Sequence, residues 1–185
     1  MRQGILIYLT IIFIAASQST FCQQGNSSQF KFIDSLFSKD SYNIELLRLD
    51  NKVPVVQSTG SVKVNRKANV VTFSTADSKF EFLESLKIDL QSEMVVFKND
   101  TLPFLDEVYM GASSVFGAWN GYTWLKTTSE TDQNDVIVID KQTKTTTQVD
   151  VGIVKNTNKI LLRINCKELV HGRPKAQYNV ACYLN

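Results

Sequence analysis

From Asn158 to Leu184 the chain reads NKILLRINCKELVHGRPKAQYNVACYL, and the alternation in this stretch decides the fold. Ile160, Leu162, Ile164 and Cys166 share one face of a period-two pattern, and Tyr178, Val180, Cys182 and Leu184 share one face of another. Successive side chains of a strand point to opposite sides, so each run has one apolar face, with Lys, Arg and Asn on part of the other. The two runs predict an antiparallel hairpin closed through residues 170–175. Both sulfurs lie on apolar faces. In such a hairpin Cys166 can stand opposite Cys182 at about 4.5 to 5.5 Å between Cα atoms, which is within disulfide range. A bridge closing that loop contributes about 3 kcal/mol on the chain-entropy model. The alternative is a pair of buried thiols, and Cys22, if retained, adds a third partner.

The same period extends upstream. It runs through Tyr42, Ile44 and Leu46, Val62 and Val64, Val70 to Phe73, Phe80 and Phe82, and Leu86, Ile88 and Leu90. Residues 135–140, 145–154, 158–166 and 176–184 continue it, each rich in β-branched residues and separated by polar turn residues. Before these strands, Phe30, Ile33, Leu36 and Phe37 recur at helical spacing behind Ser27 and Ser28, which can cap a helix start. The pattern predicts a mainly β, single-domain protein: an antiparallel β-sandwich, or a curved sheet or half-barrel, with one short N-terminal amphipathic helix.

The amino terminus reads as a signal peptide over residues 1–22. Arg2 precedes an apolar run from Ile5 to Ala16, and polar Ser17 to Thr20 follow at once. The run is shorter than the ~18 residues needed to cross a bilayer as a helix. Small residues place the cleavage between 17 and 22, leaving one β-rich domain over 23–185. An uncleaved anchor is the alternative reading; no other stretch in the chain could span a membrane as a helix. Export implies an oxidising compartment, extracellular or, in a bacterium, periplasmic, which favours joined over free cysteines.

The chain has 185 residues, 43% apolar and 21% charged, with 20 basic and 18 acidic side chains. That is too apolar for a disordered chain, and three Cys are too few for a disulfide-dense scaffold. A formal charge of +2 gives little attraction for nucleic acid. One His, His171, cannot build a two-His metal site, and Cys166 with Cys182 is not a zinc spacing. There is no nucleophile elbow, phosphate-cradling loop or dinucleotide fingerprint. Asp132, Asn134 and Asp135 alternate like calcium ligands but lack the Gly and Glu of a complete loop. Glu81 with Glu84, or Asp106 with Glu107, are the carboxylate pairs available to a glycosidase, and such pairs are ordinary on surfaces. The reading is therefore non-enzymatic, with no metal and no cofactor. Two N-glycosylation sequons are present, at Asn99 (Asn99-Asp100-Thr101) and at Asn26 (Asn26-Ser27-Ser28).

The most distinctive composition lies between Tyr109 and Trp124, where Tyr109, Phe116, Trp119, Tyr122 and Trp124 are interspersed with Gly111, Gly117 and Gly121. Aromatics on a glycine-rich loop suit a recognition surface or a pocket mouth. The alternative is that Trp119 and Trp124 plug one end of the core. Two functions follow from the loop reading. The first is a secreted carrier of a small apolar ligand or lipid, whose cavity the loop gates; eleven Phe residues motivate it. The second is an extracellular recognition or adhesion module that binds a glycan or a protein through the loop.

Overall fold

The computed structural model describes residues 27–50, 53–110, 115–131, 142–170 and 172–185. Ten strands occur there: β1 (Ser41–Asp50), β2 (Val53–Lys67), β3 (Val70–Ser74), β4 (Leu86–Asp89), β5 (Met94–Phe97), β6 (Asp100–Met110), β7 (Trp119–Thr131), β8 (Gln142–Val154), β9 (Ile160–Val170) and β10 (Arg173–Leu184). One helix, α1 (Ser27–Leu36), precedes them, and a 3-10 segment, Ser78–Ser85, lies between β3 and β4. Residues from Ile33 onward form one compact unit and those up to Phe32 another.

The mainly β, antiparallel character expected from the sequence is what is observed. Every strand pairs with its sequence neighbours, and β1 pairs with both β2 and β10, so the ladder closes into a barrel. The sequence left a sandwich and a curved sheet or half-barrel open; the single ladder is closed by the pairing of β1 with β10. That pairing is the short register Ile44↔Leu184 to Leu47↔Ala181, which joins the first strand to the last.

Alternation fills the interior. Ile44, Val62, Phe73, Ile88, Phe97, Leu102, Trp124, Val151, Leu162 and Leu184 are all buried, one or more from each wall. The part of α1 in the barrel's own unit adds Ile33, Leu36 and then Phe37, whose ring meets Phe73 edge-on at 5.3 Å and Tyr42 at 6.4 Å. The Tyr42 hydroxyl donates to the Leu36 carbonyl at 2.7 Å, satisfying an acceptor that the helix end leaves open.

Phe80 and Phe82 do not form the strand that their alternation suggests. Phe80 and Leu83 are spaced by three, the repeat of a 3-10 turn, and both are fully buried. The Asp77 side chain starts the segment by accepting from the Lys79 N–H at 3.0 Å. Phe80 lies against Gly60, where a Cβ would collide with its ring. The β2–β3 hairpin turns on Ala68 (φ 50°) and Asn69 (φ 66°), the double left-handed geometry whose twist matches the flanking strands.

The strands differ in length, and that shapes the surface. β3, β4 and β5 have five, four and four residues, whereas β2 has 15 and β7 and β8 have 13. Beyond Leu47, β1 pairs only with β2, and β2 reaches β3 only from Lys63 on. Residues 48–50 and 53–56 therefore form a two-stranded ribbon that leaves the wall.

Candidate functional site

β7 carries most of the aromatic residues singled out in the sequence, and parity separates them. Trp119 and Trp124 are five positions apart, so they point to opposite faces of the strand. Trp124 and Tyr122 face inward, where Trp124 is fully buried and Phe104 packs at 6.0 and 5.8 Å from the two rings. The Trp124 indole N–H donates to the Glu93 carbonyl at 3.2 Å. Trp119 faces outward and joins Phe116, Leu47, Val154, Leu161 and Ala181 in a second cluster on the outer wall, closed by the Tyr183 hydroxyl bonded to the Phe116 carbonyl. Gly152 makes room for this packing: a Cβ there would stand 2.7 Å from Trp119 Cε3 and closer still to the Asn120 carbonyl.

The aromatic stretch is thus not one loop. Tyr109 belongs to β6, opposite Asn120, and residues 119–124 belong to β7. The glycines that suggested a loop include Gly121, which pairs with Gly152 across the β7–β8 ladder. Phe116, Trp119, Tyr122 and Trp124 are all buried, on two sides of one wall, and do not share a surface.

The cysteines sit on inward faces, as expected, but the register separates them. Cys166 pairs with Tyr178, and Cys182 pairs with Leu162. Cys182 lies four residues along β10 from the position opposite Cys166, and both residues are free thiols. The cross-strand geometry on which the expected disulfide rested is absent. Cys182 is fully buried, with its Sγ directed at the Leu162 carbonyl, and burial pushes its thiol well above the ordinary range. Burial also raises Cys166, with the Thr147 hydroxyl and the Lys98 ammonium pulling the other way.

Lys98, which the sequence did not single out, marks a lip where the short wall meets the tall one. It sits in the β5–β6 turn at φ 56°. Its ammonium lies 5.6 Å from the centroids of both Phe97 and Tyr178 and so bridges that turn to β10. Two residues on, Asp100 accepts from Lys126 of β7 at 2.6 Å. Asn99, between them, is exposed, as is Thr101.

The other feature missed is the ribbon. Leu49, Val53, Val55 and Val56 are 45, 59, 43 and 47% exposed, four of the seven large apolar residues that stand open among those described. Leu49, Pro54 and Val56 continue the face of Leu47, and a crevice at the ribbon root lies between Leu49, Gln57, Phe116 and Asn179. The run Val53-Pro54-Val55-Val56 lacks the polar alternation of a wall strand, which was the available signal.

Among the described residues no group of three or more His, Cys, Asp and Glu gathers as a metal site. Glu84 is spent on the Thr75 N–H at 3.0 Å, and Glu81 is exposed beside it. Residues 1–26, with Cys22 and Asn26, the calcium-like Asp132, Asn134 and Asp135, the strand expected at 135–140, and His171 lie outside the described residues. No helix among the described residues is long and apolar enough to cross a membrane. No protein-family model matches the chain, and comparison with curated proteins and with solved structures finds no significant match.

Proposed function

We propose that the chain is an exported, non-enzymatic binding protein that recognises another extracellular protein with the outside of its barrel. The observation that carries this reading is where the apolar surface lies. Phe37, Phe73, Phe80, Phe97 and Trp124 occupy the interior and are 3% exposed or less, whereas Leu49, Val53, Val55 and Val56 crowd one ribbon. Scattered exposed apolar residues are ordinary, but four on one projecting ribbon, Leu49 and Val56 on one face and Val53 and Val55 on the other, suit a contact element. The apolar run from Ile5 to Ala16 supports export.

The carrier reading draws on the closed, apolar-lined barrel itself, a form that holds small ligands when side chains leave room. Native mass spectrometry of the exported protein separates the two. The recognition reading expects a clean apo mass and no uptake of a fluorescent fatty acid. A co-purifying apolar molecule, retained when Val55→Lys and Val56→Lys are introduced, overturns it in favour of a carrier.

A further inference from the structure

We propose that Asn99 carries an N-linked glycan, and that this glycan stands over the lip where the β5–β6 turn reaches β10. The proposal rests on the export reading above, since the acceptor must pass the enzyme that transfers the sugar. The sequon Asn99-Asp100-Thr101 spans the turn and the first residues of β6, and the structure leaves both residues that a glycan requires, Asn99 and Thr101, exposed.

The neighbours of Asn99 make the site specific. Lys98 on one side is held over the Phe97 and Tyr178 rings, and Asp100 on the other is held by Lys126. Both flanking side chains are drawn across the lip, and the Lys98 N–H donates to the Ser85 carbonyl at 2.8 Å. Asn99 between them is exposed. A sugar attached there projects from the turn whose Lys98 reaches the ring of Tyr178, the rung partner of Cys166.

The step is a substitution. The Asn99 Nδ2 forms a bond to C1 of the first sugar of a lipid-linked oligosaccharide, the bond from C1 to the diphosphate oxygen breaks, the lipid diphosphate leaves, and one amide proton is lost. No oxidant or reductant takes part. A glycan standing over this lip screens the half-buried thiol of Cys166, the rung partner of Tyr178, from bulky reagents.

The full chain expressed in a eukaryotic secretory host tests this. Secreted protein is treated with peptide N-glycosidase in heavy-oxygen water and mapped. The expected result is an Asn99 converted to labelled Asp, with the label at position 99 absent in Thr101→Ala and in Asn99→Gln. Native deglycosylation is expected to speed modification of Cys166 by a bulky maleimide severalfold. Secreted, leader-free protein with Asn99 unmodified overturns the proposal and leaves the export reading standing. A chain retained in cells with its leader attached overturns both. Equal Cys166 reactivity before and after deglycosylation overturns the placement over the lip.

Discussion

Asp150 of β8 and Arg163 of β9 face each other on the outer wall, with Nε and Nη2 of the guanidinium both 2.6 Å from one carboxylate oxygen. The other oxygen accepts from the Thr123 hydroxyl at 2.6 Å and from Gln148 Nε2 at 2.9 Å. Asp150 is 1% exposed. Removing its cation strands a buried charge, which costs far more than an open surface pair is worth. Arg163→Met is expected to lose about 3 kcal/mol of unfolding free energy, read as a lower urea midpoint at unchanged slope. Asp150→Asn, which keeps the size and the Thr123 contact, is expected to lose less; an equal or larger loss tells against the stranded-charge account.

Gly152 and Trp119 make a second test. A methyl group at Gly152 meets the indole edge and the Asn120 backbone together, so relief requires the β7 backbone to move. Gly152→Ala is expected to cost about 1 to 3 kcal/mol by overpacking and to red-shift tryptophan emission as Trp119 is displaced. An unchanged spectrum and midpoint would show that the outer cluster is looser than described.

The buried protons predict alkaline sensitivity. Burial raises Cys182 most, and burial raises Tyr178 and Tyr183 as well. The folded state then holds protons that the unfolded chain has released. Stability is full below the ordinary thiol value of about 8.5 and falls as pH rises beyond it, approaching a slope of about 1.4 kcal/mol per pH unit for Cys182. Urea midpoints at rising pH check this, and Cys182→Ala is expected to flatten the fall at the cost of a lower starting stability.

Ribbon and core substitutions should separate binding from folding. Val55→Lys and Val56→Lys alter exposed positions and are expected to shift stability by less than about 0.5 kcal/mol while abolishing partner binding. Trp124→Ala empties a fully buried site and is expected to cost about 3 to 5 kcal/mol. A Trp124→Ala protein that keeps its melting temperature would return that residue to the list of surface candidates.

Much of the wall was legible because its signal is local. Ile160 to Cys166 and Tyr178 to Leu184 alternate, and they form β9 and β10 with Tyr178 opposite Cys166. Alternation gives the face of each cysteine but not the register, which is set by the turn beyond Val170 and by the irregularity between Pro174 and Ala176. The same limit applied to β7: Gly121 reads as a loop residue until Gly152 is known to lie opposite, a relation between residues 31 positions apart. Strands β5 and β6 were missed because four residues at Met94–Phe97 give too short a pattern, and because Pro103 interrupts the next. The lip around Lys98 depends on contacts from the β5–β6 turn to β10 and from Asp100 to β7, and left no mark in the order of residues.

The seam between β1 and β10 has a temporal meaning. Four rungs, Ile44↔Leu184 through Leu47↔Ala181, join the earliest strand to the latest, and every other ladder links neighbours along the chain. A sheet formed before β10 is in place would have two unsatisfied borders, open to pairing with other nascent chains. Substitutions at Ala181 or Leu184 should for that reason reveal themselves first in yield and aggregation, before any change in the finished molecule.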